Sequence, residues 1–250
     1  TTIGHILRLQ EQLKLSFKEV FSVLYGLPTI SLEENEKSFL DSLFNHEDVV
    51  LAEGSYPKTS VKLIHPSLAI DQSSASAEFS SSRLIMALNR SDDEVLALIK
   101  HLARPLGIVA LDSATESERG FNITLVNLSL LYRHSKIAET LKLPVGDLFR
   151  IIKLIPSIAN GYLENIGHVY TLLDFVDWWR GSKFTIDELN YIIESGNIED
   201  PESFKTKEEI TTAILDQAKT SRALLFADTL FTVVNGVTEE QSRAILRANS

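Results

Sequence analysis

A twelve-residue pattern of apolar and polar positions recurs along the chain. It is clearest in residues 13–24 (LKLSFKEVFSVL), 141–152 (LKLPVGDLFRII) and 182–193 (SKFTIDELNYII). Each copy has Ser, Pro or Thr at its fourth position and an acid three residues later, followed by an apolar residue and then an apolar pair. Weaker copies occupy 88–99 (LNRSDDEVLALI) and 235–246 (NGVTEEQSRAIL). The chain therefore repeats one short element several times.

The polar positions of this pattern predict helix starts. A Ser or Thr cap accepts a hydrogen bond from the backbone N–H three residues on, and an acid at that position reaches back to the N–H of the cap. Four pairs fit this capping box: Ser16/Glu19, Ser91/Glu94, Thr185/Glu188 and Thr238/Gln241. Pro144 has no capping side chain and suits the first helical position, so its helix is expected to begin one residue early.

The apolar positions recur at spacings of three and four residues, which predicts helices over most of the chain. The predicted helices are 3–13, 16–24, 34–44, 83–88, 91–103, 124–141, 144–154, 162–180, 185–194, 205–234 and one that starts at 238. Gly26 and Gly181 are expected to end two of them. A long helix, a short turn and a short capped helix thus form a repeated hairpin. The caps are irregularly spaced, which favours a divergent stack of hairpins over a strict solenoid.

Residues 45–82 interrupt this pattern with Gly54, Pro57, Pro66 and a serine cluster at 73–82. They predict an irregular connection with a short strand at Val61–Ile64. The predicted fold class is therefore all-α, an irregular array of stacked helical hairpins with one long non-helical connection at 45–82. We expect a single domain over 1–250. The predicted buried residues are Leu131, Ala138, Leu148, Ile152, Leu173, Trp179, Leu189 and Ile193.

The composition limits the function classes. A formal net charge of −10 argues against a nucleic-acid surface and against attraction to an anionic membrane. The most apolar run, 223–234, contains Asp228 and is too short to span a bilayer. The absence of cysteine excludes disulfides and thiolate metal sites. Because the chain starts at Thr1 rather than at methionine, we expect a fragment or a processed piece.

No motif predicts a catalytic, cofactor or metal site. The six histidines, His5, His46, His65, His101, His134 and His168, lack metal-motif spacing. No nucleophile elbow or phosphate loop occurs, and Asp92–Asp93 fit helix starts better than catalysis. Arg133 and His134 are the most conspicuous polar pair, interpreted as a surface salt-bridge partner and a packing imidazole. We therefore expect no enzyme activity, cofactor or small-molecule ligand.

Several segments resemble the A components of bacterial insecticidal toxin complexes, the Tc toxins. The closest resemblance is residues 128–154 (LSLLYRHSKIAETLKLPVGDLFRIIKL), with its Leu-Tyr-Arg-His region, Leu-x-Leu turn and leucine-rich helix. Phe39–Asn45 (FLDSLFN), residues 172–193 and Ile6–Leu24 are similar to further stretches of that family, in the same order. These are packing motifs, so they indicate the family without indicating an active site.

The resemblance implies a piece of the α-helical shell of the A component. In that family the A component forms a secreted pentamer whose shell surrounds a translocation channel and opens on a pH change. The implied role is structural and non-enzymatic, contributing to virulence. The implied partners are other segments and subunits of the pentamer, without direct membrane insertion by this segment. The alternative is a free-standing helical scaffold that binds a protein partner, and an enzyme is a more distant third.

Overall fold

The computed structural model describes residues 2–31, 34–47, 50, 54–71, 75–193, 212, 214–217 and 219. Its helices are α1 (Thr2–Leu13), α2 (Phe17–Tyr25), α3 (Phe39–Phe44), α4 (Ala75–Leu88), α5 (Asp92–His101), α6 (Ala103–Leu106), α7 (Leu125–Leu141), α8 (Val145–Lys153), α9 (Ile166–Ser182) and α10 (Ile186–Ile193). Two short strands, β1 (Lys58–Leu63) and β2 (Phe121–Ile123), form the antiparallel sheet of the described residues. The all-α class is confirmed.

The chain divides into two compact units, Thr1–Ile186 and Asp187–Ser250. In the first unit, α7 is the central helix: α2, α4, α5 and α8 all pack against it. The predicted hairpins are present, since α1 packs on α2, α4 on α5, and α7 on α8. The predicted helix at 205–234 and the cap at Thr238 lie outside the described residues, apart from helical positions at 212, 214–217 and 219.

The predicted helix caps are confirmed completely at Ser16, in part at Ser91 and not at Pro144. Ser16 and Glu19 form the complete capping box, with the Glu19 carboxylate accepting the Ser16 N–H at 2.8 Å. Ser91 caps α5, but the Glu94 carboxylate pairs with Arg90 instead of closing the box. Pro144 lies before α8 with an extended ψ of 147°, so its predicted place as the first helical residue is wrong. Extended ψ at the cap lets the chain enter the helix from a turn.

Several helices begin or end at residues other than the predicted ones. The helix expected at 34–44 is limited to Phe39–Phe44, where Ser38 caps it by accepting the Asp41 N–H. The 162–180 helix begins instead at Ile166, after an Asn165 cap, and continues through Gly181 to Ser182. Lys183, at φ 64°, then ends that helix in the left-handed conformation.

The irregular connection predicted at 45–82 is shorter than expected, because residues from Ala75 onward belong to α4. Serines lower helix propensity only weakly, and the packing of α4 on α3, α5 and α7 outweighs that preference. The predicted strand is present but starts earlier, at Lys58, and pairs with the unpredicted β2. A Cβ on Gly120, just before β2, would lie 2.7 Å from the Ile64 side chain, so a larger residue there would force Ile64 to shift.

Six of the eight predicted core residues are buried: Leu131, Ala138, Leu148, Ile152, Leu173 and Leu189. Trp179 is partly buried and donates its Nε1–H to the Phe184 carbonyl at 2.7 Å. Ile193 is 43% exposed, so its predicted burial is wrong. It is the last residue of α10 and the last position of its copy of the repeat.

Candidate functional site at the Tyr-Arg-His triplet

Arg133 of α7 binds the ends of two other segments through their backbone. Its Nε donates to the Val23 carbonyl at 2.6 Å and its Nη2 to the Leu24 carbonyl at 3.2 Å. Its Nη1 donates to the carbonyls of Leu163 and Glu164 at 2.9 and 3.0 Å. The last carbonyls of a helix have no partner within that helix. The guanidinium therefore satisfies the end of α2 and fixes it to the turn before α9.

His134 is fully buried beside Arg133 and uses both ring nitrogens. Its Nε2 accepts the Leu163 N–H at 2.9 Å, so the proton of the neutral ring lies on Nδ1, 2.9 Å from the Leu130 carbonyl. The ring stacks on Phe149, with centroids 5.3 Å apart and an interplanar angle of 10°. Burial lowers the pKa of His134 from 6.5 to about 4. The imidazole is therefore neutral at pH 7, with no nitrogen available for proton transfer.

Other polar residues of α7 also bind segment ends. The Ser129 hydroxyl accepts the Leu27 N–H at 2.9 Å, and the Ser135 hydroxyl donates to the Leu88 carbonyl at 3.0 Å. Tyr132 is buried and meets Phe39 edge-on at 5.7 Å. Burial raises the pKa of the Tyr132 hydroxyl, which stays protonated. The polar face of α7 thus connects helix ends rather than converging on one point in space.

The structure corrects one sequence interpretation and confirms another. Arg133 is not a surface salt-bridge partner, because its described bonds all go to backbone carbonyls. His134 is a packing imidazole, as predicted. The partners of Arg133 lie 109 and 110 residues before it and 30 and 31 residues after it. No local pattern in the sequence identifies partners at such separations.

A Ser-His-Asp group occurs away from the triplet, at the start of α5. The Asp92 carboxylate oxygen Oδ1 lies 3.2 Å from His65 Nε2 and accepts the Ser81 hydroxyl at 3.0 Å. The other ring nitrogen of His65 accepts the Ser67 N–H at 3.2 Å. Burial lowers the pKa of His65, and the Asp92 carboxylate opposes that effect. Nucleophilic catalysis needs a base that contacts the hydroxyl, whereas here the Ser81 hydroxyl donates to the Asp92 carboxylate rather than to His65.

Two surface clefts flank α2. The larger, of about 630 Å³, is bordered by Phe21, Tyr25, Gly26, Leu27, Pro28, Thr29, Pro105, Leu125, Val126, Ser129, Leu130, Arg133, Tyr162 and Glu164. The smaller, of about 140 Å³, is bordered by Phe17, Lys18, Phe21, Pro28, Ile30, Ser31, Lys37 and Phe39. Within the described residues no three His, Asp or Glu side chains could hold a metal ion. The expectation of no metal, cofactor or small ligand remains a prediction.

No family model and no curated protein matches the chain. Among solved structures, the cryo-EM structure of TcdA4 from Morganella morganii, a Tc toxin A subunit, matches with a TM-score of 0.53 and 17% identity. The match covers 85% of this chain and 8% of the TcdA4 chain. The chain has a Tc toxin-like fold. At this identity the likeness concerns the fold alone.

The contacts of Arg133 and His134 involve the segment on which the sequence resemblance described above was based. That segment, residues 128–154, contributes Arg133 and His134 from α7 and Phe149 from α8. Arg133 and His134 bind backbone groups of other segments and Phe149 stacks on His134, so these side chains contribute to the hairpin packing. No helix in the described part of the chain is long and apolar enough to cross a membrane.

Proposed function

We propose that this chain is a structural, non-enzymatic segment of the α-helical shell of a toxin-complex A subunit. In this role it acts within a secreted complex that contributes to virulence. Its partners are other segments and subunits of an A pentamer, and it does not itself insert into a membrane. The observation that carries the proposal is the match of 85% of the chain to the fold of TcdA4.

The polar contacts support a structural role. Arg133, Ser135 and His134 each form a hydrogen bond with the backbone of another segment, namely α2, α4 and the turn before α9. Buried polar groups that are fully satisfied rigidify a fold and specify one packing arrangement. A shell wall needs this rigidity, whereas an active site needs polar groups that converge on a substrate.

The direct test is the architecture of the complete gene product. We expect the reading frame that encodes this chain to be many times longer than 250 residues, and the purified product to form a pentamer. Mass photometry gives the number of subunits, and cryo-EM locates this fold in the outer wall. A complete product that is a monomer of one such helical unit would contradict the proposal and favour the free-standing scaffold.

The non-enzymatic part of the proposal has its own test. Ser81, His65 and Asp92 are the residue types of a hydrolase triad, and both Ser81 and His65 lie close to the Asp92 carboxylate. A fluorophosphonate probe, which labels activated serines, should leave Ser81 unmodified in the folded protein. Labelling that depends on His65, and is lost in His65→Gln, would show an activated serine and refute a purely structural role.

A further inference from the structure

The outer face of α2 carries three aromatic rings at four-residue spacing: Phe17, Phe21 and Tyr25. Neighbouring ring centroids are 6.3 and 5.1 Å apart, so the rings form a continuous ladder. Phe17 is 50% exposed and Tyr25 is 51% exposed. Val20, Val23 and Leu24 of the same helix project to other directions and are buried. This short helix is therefore apolar on a buried face and on an open one.

The aromatic ladder lies between the two clefts. Phe21 and Pro28 border both clefts, so the ladder and the clefts form one continuous surface that is mainly apolar. At its edges Ile30 is 80% exposed and Val126 is 74% exposed. Isolated exposed apolar residues are normal, but a contiguous apolar surface of this kind marks an interaction site.

The repeated sequence pattern shows what covers the same face elsewhere in this chain. In the alignment of the repeats, Phe21 corresponds to Phe149 of α8, and Phe17 corresponds to Val145. Both α8 residues are buried, at 1% and 0% exposure. Two helices cover Phe149: its ring stacks on His134 of α7 at 5.3 Å and, on the side of α5, on His101 at 4.5 Å. On α2, by contrast, Phe17 and Tyr25 are half exposed and Phe21 borders both clefts.

We propose that the α2 ladder is the docking surface for an amphipathic α-helix of the α5 type, supplied by a neighbouring hairpin of the same assembly. The assignment of that helix to a neighbouring hairpin rests on the proposed function. Helical hairpins in stacked arrays bury their apolar faces against their neighbours. The chain spans 8% of the matched toxin subunit, so an assembly of that kind has further helices next to this segment.

The helix that docks on the ladder is expected to have the apolar stripe and the acidic first turn of α5. The apolar stripe of α5 consists of Val95, Leu98 and Ile99, all buried, and continues into Leu102. The first turn of α5 is acidic, with Asp92, Asp93 and Glu94. The smaller cleft beside the ladder is bordered by two cations, Lys18 and Lys37, which form exposed pairs with Glu36 and Glu47. Exposed pairs contribute little to stability, so an incoming acidic first turn can compete for these lysines.

The test uses a peptide of α5 as the probe for the occupant. The probe is residues 91–102 with a fluorescein label, an Ala97→Lys change and a lactam between Asp93 and that lysine. The lactam is needed because a helix of this length is marginal in water. Fluorescence anisotropy follows its binding to the 250-residue chain. We expect saturable binding, and a peptide carrying Leu98→Asp should not bind, since it lacks the apolar stripe.

Two variants of the chain locate the binding surface. Tyr25→Lys places a charge on the ladder and should weaken binding about tenfold or more, as hot-spot aromatic residues do. Met86→Lys is the matched control, because Met86 is 69% exposed, lies on α4 and borders neither cleft. It should leave the affinity unchanged. Circular dichroism checks that both variants are folded, and Phe17→Lys replaces Tyr25→Lys if that variant is not.

Three outcomes overturn the inference. The first is no saturable binding of the lactam peptide, and the second is equal affinity for the wild type and Tyr25→Lys. The third is a dimer in sedimentation equilibrium that Tyr25→Lys dissociates, which would identify a second copy as the occupant. The binding assay uses this chain alone, whereas the proposed function is tested on the complete gene product. A failure of the docking proposal is therefore distinguishable from a failure of the proposed function.

Discussion

Acid should destabilise this fold through His134. The ring is fully buried, both nitrogens are engaged in neutral hydrogen bonds, and burial lowers its pKa from 6.5 to about 4. Between these two pH values the unfolded chain binds a proton at this residue and the folded chain does not. Stability from this group is thus fully present above pH 6.5 and is lost as the pH falls towards 4.

The size of this destabilisation follows from the pKa shift of His134. A pKa lowered from 6.5 to about 4 corresponds to about 3 kcal/mol of unfolding free energy, at roughly 1.4 kcal/mol for each pH unit. Other groups also titrate in this range, so the wild type must be compared with a variant that lacks only this titration. His134→Gln is suitable because an amide keeps one donor and one acceptor.

The assay is urea unfolding of the wild type and His134→Gln at several pH values from 7 to 4. The wild type should lose about 3 kcal/mol more than the variant over that interval. His46→Gln, at an exposed position, is the control and should follow the wild type. Parallel stability curves for the wild type and His134→Gln would refute the assignment of acid sensitivity to His134.

Three further substitutions probe the packing and the caps by urea unfolding at pH 7. Arg133→Lys should cost about 3 kcal/mol, because one ammonium cannot span the carbonyls of α2 and of the turn before α9; a loss of under about 1 kcal/mol would contradict this. Leu148→Ala, at a fully buried position, should cost about 2–5 kcal/mol, and an unchanged midpoint would exclude core packing there. Ser16→Ala should cost about 1 kcal/mol through the lost cap, and wild-type stability would count against the capping box.

Local patterns were sufficient to place most helix starts. Ser16 and Ser91 cap the helices that the repeat predicted, since a cap depends on residues only three positions apart. Apolar spacing likewise identified Leu131 and Leu148 as core residues. The serine cluster was misjudged, because the propensity of serine is weak and the neighbours of α4 in space outweigh it. Strand β2 was missed because three residues are too few to show an alternation.

The sequence by itself determined the all-α class, the hairpin repeat and the resemblance to Tc toxin A components, since each depends on residues that are close in sequence. Only the tertiary structure decided the role of Arg133, whose carbonyl partner at Val23 lies 110 residues away. It likewise decided which repeated positions are covered: Phe149 stacks on His134 of α7 and on His101 of α5, whereas Phe21, at the same repeat position, lines two open clefts. The physical reason is that a helix pattern fixes which face is apolar, whereas burial depends on which distant segment packs against that face.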